Sequence, residues 1–96
     1  MTTLELLRSR RNDIYALADK YHVGNIRVFG SVAHGEDNPE SDIDFLVTAQ
    51  PGCTYFELGG LLMDLQDMFG KKVDIVSDKG ISKYLKDRIL GEAVPV

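Results

Sequence analysis

Residues 30–47 read Gly30-Ser31-Val32-Ala33-His34-Gly35-Glu36-Asp37-Asn38-Pro39-Glu40-Ser41-Asp42-Ile43-Asp44-Phe45-Leu46-Val47. From Ser41 to Val47 the pattern alternates with the period of a strand. Ile43, Phe45 and Val47 fall on one side, and Asp42, Asp44 and Leu46 on the other. A strand of this kind has one face for a core and sets two carboxylates side by side on the opposite face. Gly30-Ser31 stands ahead of it as a turn. Asn38-Pro39 punctuates a loop from Glu36 to Glu40, and Val32 to Gly35 has room for a single helical turn.

Upstream, Asn25-Ile26-Arg27-Val28-Phe29 also alternates and predicts a half-buried strand running into Gly30. Before it, Leu4, Leu7, Ile14, Leu17, Ala18 and Tyr21 follow three-and-four spacing. A helix is predicted from a Thr2 or Thr3 cap to about Lys20, with Gly24 closing the region. Arg8, Arg10 and Arg11 form a basic cluster, read foremost as a solvated helix face. Downstream, Gln50-Pro51-Gly52 breaks the chain. Thr54 to Phe69 reads as a helix with Phe56, Leu61, Leu62, Leu65, Met68 and Phe69 as candidate core anchors, stopped by Gly70. Gly59-Gly60 leaves two readings: the helix begins after them, or another element packs close against them, since each glycine costs about 1 kcal/mol inside a helix. Lys72 to Val76 is the third predicted strand, with Asp74 between Val73 and Ile75. Ser82 caps a last helix to about Leu90, with Tyr84, Leu85, Ile89 and Leu90 as a short apolar face. Val94-Pro95-Val96 reads as a tail, free to fray, to dock on a partner or to join the core.

The order is helix, strand, short turn, strand, helix, strand, helix. The expected fold class is α/β, a small mixed β-sheet with flanking helices. With 96 residues and no internal linker, residues 1–96 are expected to form a single domain. The formal charge of −4 and a pI near 5.0 argue against a domain whose main partner is a nucleic-acid backbone, so direct nucleic-acid binding is not expected. The single cysteine, Cys53, allows no internal disulfide and suits a reducing compartment. No apolar run approaches the ~20 residues that span a bilayer, and Met1 to Arg11 is charged too early for a signal peptide. A cytoplasmic location away from membranes is the expectation.

The chemistry follows from three carboxylates. Asp42 and Asp44 share a strand face, and like charges there repel unless a cation lies between them. Mg²⁺ takes one or two carboxylates together with water and substrate phosphates. If the strand carrying Asp74 is a neighbour, the three suit two metal ions, with Asp74 nearest an attacking oxygen and a candidate base. Gly30 lets backbone approach a phosphate, and the N–H groups of a turn starting at Ser31 can face an anion. An isolated Asp-x-Asp is usually a solvated strand feature, and an isolated Gly-Ser usually a turn. Their combination, with a third strand aspartate, is what carries the reading. Rival motifs fail by residue. Glu36-Asp37 stands where a Walker loop needs Lys-Ser or Lys-Thr. Residues 37–44 lack the glycine and distal glutamate of an EF-hand. His22 and His34 have no partners at zinc spacing.

Gly30-Ser31, Asp42 with Asp44, and the separate Asp74 together resemble the minimal nucleotidyltransferase (MNT) domain of the DNA polymerase beta-like nucleotidyltransferase superfamily. The resemblance covers nearly the whole chain, including the closing Arg88-Ile-Leu-Gly-Glu92-Ala segment. It implies the polymerase beta-like α/β fold and transfer of a nucleoside monophosphate from an NTP with two Mg²⁺ ions. Gly30, Ser31, Asp42 and Asp44 would bind nucleotide, and Asp42, Asp44 and Asp74 would be the metal ligands and catalytic residues. Small free-standing members of this group resemble antitoxins that attach AMP from ATP to a tyrosine of a HEPN-domain toxin. ATP, a HEPN toxin and a hetero-complex or homo-oligomer are the implied partners. A non-catalytic antitoxin that neutralises its partner by stoichiometric occlusion is the alternative. A small-molecule nucleotidyltransferase is disfavoured because no second domain is there to build an acceptor pocket. The sequence departs from the group at His34, where many relatives carry arginine. Histidine is shorter and only partly charged near neutral pH, which implies tolerated variation foremost, or a weaker or pH-dependent hold on nucleotide.

Overall fold

The computed structural model describes all 96 residues, Met1–Val96. In chain order the elements are α1 (Thr3–Ser9), α2 (Arg11–Lys20), β1 (Val23–Phe29), α3 (Ser31–His34), β2 (Ile43–Ala49), α4 (Tyr55–Phe69), β3 (Val73–Ser77), α5 (Lys83–Glu92) and β4 (Val94–Pro95). The sheet order is β3-β2-β1-β4. β1 runs antiparallel to both β2 and β4, whereas β2 and β3 are parallel. The parallel pair is made possible by α4, which supplies the long crossover that two parallel strands require.

The core lies on one face of the sheet. Ile43, Phe45 and Val47 from β2 meet Val23, Ile26 and Val28 from β1, Leu7, Ile14 and Ala18 from α1 and α2, and Leu61 and Leu65 from α4. Leu46, fully buried, and Ile89 of α5 stand outside this cluster. α5 joins β3 at one edge of the sheet to β4 at the other, and Leu46 is buried on the face opposite to Ile43, Phe45 and Val47.

Several elements depart from the sequence reading. The first helix is two helices, broken at Arg10. Thr2 caps the first through a capping box with Glu5, and the Arg10 N–H falls back on Leu6 and Leu7 carbonyls. Gly24 does not close the helical region. Tyr21 is its C-cap, His22 turns the chain at φ 58°, and Gly24 already lies in β1, where a register shift accommodates Asn25 at φ 50°. β2 starts at Ile43 rather than Ser41, and β3 is shifted one residue toward the C-terminus, from Lys72–Val76 as expected to Val73–Ser77. The Gly59-Gly60 alternatives resolve to the second: both lie inside α4, and a Cβ on Gly60 would sit 2.5 Å from the Tyr21 ring. The Tyr21 hydroxyl donates to Asp64 one turn further on, at 2.6 Å.

Phe56 is not a core anchor. It is 89% exposed, beside Tyr55 at 91%. Tyr84 of α5 is likewise exposed, and only Ile89 of the expected apolar face of α5 is buried. The tail does not fray: Val94 and Pro95 pair with Val28 and Arg27 of β1, Val96 is buried, and its N–H donates to Ile26 at 3.1 Å. The Arg8 guanidinium donates to the Pro95 carbonyl at 2.9 Å. Arg10 lies over Phe69 of α4 and Arg11 over Tyr15 of α2, so the basic cluster is engaged by β4, α4 and α2. No helix is long and apolar enough to cross a membrane.

Candidate active site

β1 and β2 put the Gly-Ser turn and the first carboxylates at one end of the sheet. Phe29, the last residue of β1, is the register partner of Asp44. The chain then passes Gly30 at φ 70°, ψ −148°, a conformation side chains disfavour. The lack of a side chain matters twice here, since a Cβ on Gly30 would lie 2.6 Å from Asp44 Oδ2. The turn is therefore seated directly against the carboxylate. α3 is a single turn, anchored by the buried Val32, with Gly35 in the left-handed region as its stop. The N–H groups of Ser31, Val32 and Ala33 have no acceptor within this turn. Whatever they bind is held beside Asp44.

The loop after α3 is tied at several points. Thr3 donates to Asp37, Lys71 Nζ donates to the Asn38 carbonyl at 3.3 Å, and the Asn38 N–H donates to Ser41 Oγ at 3.0 Å. It delivers Asp42 one residue ahead of β2. Asp44 follows on the strand, and the parallel register sets it directly beside Asp74 of β3. Paired residues of a parallel ladder project to the same face. That face is opposite to Ile43, Phe45 and Val47.

Asp44 is half-buried, and its carboxyl is pushed above the ordinary 3.8, first by burial and then by the charges of Asp74, Asp42 and Glu92. Asp74 is exposed on the edge strand. Asp42 is held by Lys72 Nζ at 3.7 Å. The three side chains are not gathered into a ready three-ligand cluster. The backbones of Asp44 and Asp74 are in register, but the Asp42 side chain is engaged by Lys72. As a donor set they nevertheless fit a hard divalent cation. All are carboxylates, and the charge that burdens Asp44 is what a cation would neutralise.

Glu92 was missed by sequence reasoning. It ends α5, acts electrostatically on Asp44, and accepts or shares a proton with His34 Nε2 at 2.6 Å. Fifty-eight residues separate the pair, and no local pattern signals it. The contact also engages His34. At the end of the α3 turn it is spent on a carboxylate from α5. Elsewhere on the same face, Asp78 takes Arg27 at 3.2 Å and the Thr48 hydroxyl at 2.6 Å, which links β1 and β2 to the residue that follows β3.

Comparison with known proteins agrees with this architecture. A Methanocaldococcus jannaschii protein named for protein adenylyltransferase activity is 42% identical over 80% of this chain and 83% of its own length. The protein adenylyltransferase MntA of Thermococcus cleftensis is 30% identical over 83% of this chain and 81% of its own. A solved structure described as a minimal nucleotidyltransferase superposes with a TM-score of 0.87 at 40% identity, covering 100% of this chain and 97% of its own. Two further structures share the fold at lower identity. A toxin–antitoxin complex with AMP-PNP gives a TM-score of 0.74 at 24% identity, over 88% of this chain and 69% of the other. The toxin–antitoxin MntA–HepT gives 0.67 at 21%, over 92% and 69%. Residues 14–96 match the family described as nucleotidyltransferase domain. On the fold and the family match together, this chain belongs to the nucleotidyltransferases, as one of their minimal members.

Proposed function

We propose that the chain transfers AMP from ATP, with Mg²⁺, to a tyrosine hydroxyl of a HEPN-domain toxin and so acts as an antitoxin. The observation that carries this reading is the Gly30 turn seated against Asp44, with Asp74 beside it in register. The names of the relatives support the protein acceptor, and the fold shared with toxin–antitoxin complexes, one of them with AMP-PNP, supports the partner class and the nucleotide.

Gly30, Ser31 and the open N–H groups of the α3 turn would hold the triphosphate. Asp42 and Asp44 would hold two Mg²⁺ ions and Asp74 one of them, with Asp42 released from Lys72. The bound ions supply charge neutralisation on the phosphates and a lowered pKa on the attacking hydroxyl. The acceptor oxygen attacks the α-phosphorus, and a new P–O bond forms. The bond to the β-phosphate breaks, and pyrophosphate leaves. Asp74 takes the hydroxyl proton. Its place on the exposed edge strand suits an acceptor carried by another protein.

A second reading, a non-catalytic module that silences its partner by occlusion, draws on carboxylates that do not converge and on the Asp42–Lys72 pair. One experiment separates the two. Purified protein, Mg²⁺ and α-labelled ATP are mixed with lysate of the source organism, with Asp42→Asn/Asp44→Asn alongside. A labelled protein band is expected, reduced about a thousandfold or more in the double variant, the scale of losing several kcal/mol of charge stabilisation. No band with any labelled NTP, while the protein still neutralises its partner, would leave occlusion as the function.

A further inference from the structure

An open groove of about 820 Å³ runs between the first half of α4 and the outer edge of β3. Tyr55, Leu58 and Leu62 line one wall, and Asp74, Ile75 and Ser77 line the other. The groove therefore begins at a carboxylate of the candidate active site and leads away along a sheet edge.

The ladder geometry says which backbone groups face it. Ile43 N–H donates to Lys72 O at 3.0 Å, and Asp78 N–H donates to Val47 O at 2.9 Å. In a parallel ladder alternate residues address the neighbouring strand. Lys72, Asp74, Val76 and Asp78 thus address β2, and Val73, Ile75 and Ser77 face outward. The two ends of this edge are closed from within. Val73 N–H donates to Gln66 Oε1 at 3.2 Å, and the Ser77 carbonyl accepts from Gly80 at 2.9 Å. Between them the Val73 carbonyl, both backbone groups of Ile75, and the Ser77 N–H are left on the outer edge, and Ile75 and Ser77 line the groove. Acceptors and donors alternating at strand spacing match one ligand chemistry, an extended peptide backbone.

We infer that this edge receives an extended segment of the acceptor protein as a fifth strand, so that a hydroxyl on that segment reaches Asp74. The inference rests on the reading of the chain as a transferase acting on protein. A second copy of the chain is the poorer occupant. In the twofold pairing centred on Ile75, Asp74 of each copy would lie diagonal to the other on the same face, where like charges repel. The exposed aromatic ring of Tyr55 on the groove wall offers stacking surface to side chains of the incoming segment.

The test uses the full chain and two tyrosine acceptors: N-acetyl-tyrosinamide, and a random lysine–tyrosine copolymer whose charge opposes the formal −4 of this protein. Amide hydrogen exchange of the wild type is read with and without copolymer, and transfer from labelled ATP is read with both acceptors. The copolymer is expected to slow exchange at Ile75 and Ser77. Ile75→Pro removes an outward N–H and no ladder bond, a substitution that edge strands tolerate. It should raise KM for the copolymer about tenfold, the value of one or two hydrogen bonds, and shift the kcat/KM ratio of the two acceptors toward the small one by a similar factor. Transfer to the copolymer with no protection at Ile75 and Ser77, and an unchanged acceptor ratio in Ile75→Pro, would overturn the inference and leave the transferase reading intact. Protection without transfer would sustain the groove and remove the transferase reading. Protection that appears without copolymer and rises with protein concentration would assign the edge to a second copy and overturn the inference.

Discussion

The two faces of β2 are built from neighbouring residues and have opposite fates. Ile43, Phe45 and Val47 are sealed under α1, α2 and α4. One peptide away in each case, Asp42 and Asp44 stand at the other face, half-buried and crowded by charge. Leu46 shows that this second face is not simply solvent: it is fully buried, outside the main core cluster. The second face is therefore dry at its middle, and its carboxylates sit at the end where the Gly30 turn and Glu92 close in. The first face supplies the stability that lets the second hold charges at a cost.

The sharpest way to break this division is Phe45→Ala. Phe45 is a large, fully buried side chain at the centre of the core. Its truncation is expected to cost about 3–5 kcal/mol, a large share of the stability of a chain this size, read as a drop in urea midpoint with unchanged slope. A loss below about 1 kcal/mol would mean that the core face does not carry the fold.

A smaller effect is expected where the two faces meet the turn. Gly30 and Gly35 share the same φ of 70°, but a Cβ on Gly30 would meet Asp44 Oδ2 and one on Gly35 would meet nothing within 4 Å. Alanine at either position strains the backbone by about 1–3 kcal/mol. Only Gly30→Ala displaces the carboxylate, and misplacement by an ångström can cost about a hundredfold in rate. Nucleotidyl transfer by Gly30→Ala should therefore fall far below that of Gly35→Ala at matched stability. Equal losses in the two variants would separate the turn from the site.

How much of this was legible depended on sequence distance. β2, the Gly-Ser turn and the third strand aspartate could be read directly, because alternation and glycine placement are local signals. The neighbour relation of Asp44 and Asp74 stood only as a condition in the sequence, and the parallel register of β2 and β3 meets it. What stayed hidden was set by contacts between distant segments. The break at Arg10 leaves the three-and-four spacing intact on both sides, so periodicity cannot see it. Gly60 is explained by a ring 39 positions earlier, Tyr21. Pro95, a poor strand former, pairs on an edge because β1 offers one and Arg8 holds its carbonyl. Phe56 reads as a core residue by type, yet it lies one position off the stripe formed by Leu58, Leu61, Leu62 and Leu65 and faces outward. Glu92 could not be assigned to the site without the path of α5.

The finest test of the comparison is the charge on Asp44 itself. Its carboxyl is pushed above 3.8 in the native state by burial, Asp74, Asp42 and Glu92. The native protein then binds more protons than the unfolded chain between the two pKa values, so stability falls as pH rises through that window. Asp44→Asn removes the penalty. Its Tm should match that of the wild type below about pH 3.8, where both states are protonated, rise above it as pH passes the native pKa, and remain higher at neutral pH. Excess Mg²⁺ should narrow the neutral-pH gap by stabilising the wild type through binding to the native state alone, an effect the variant should largely lack. A wild type that is the more stable protein at neutral pH without metal would mean that a favourable partner of the Asp44 carboxylate outweighs the crowding. The second face of β2 would then contribute to the fold as the first one does.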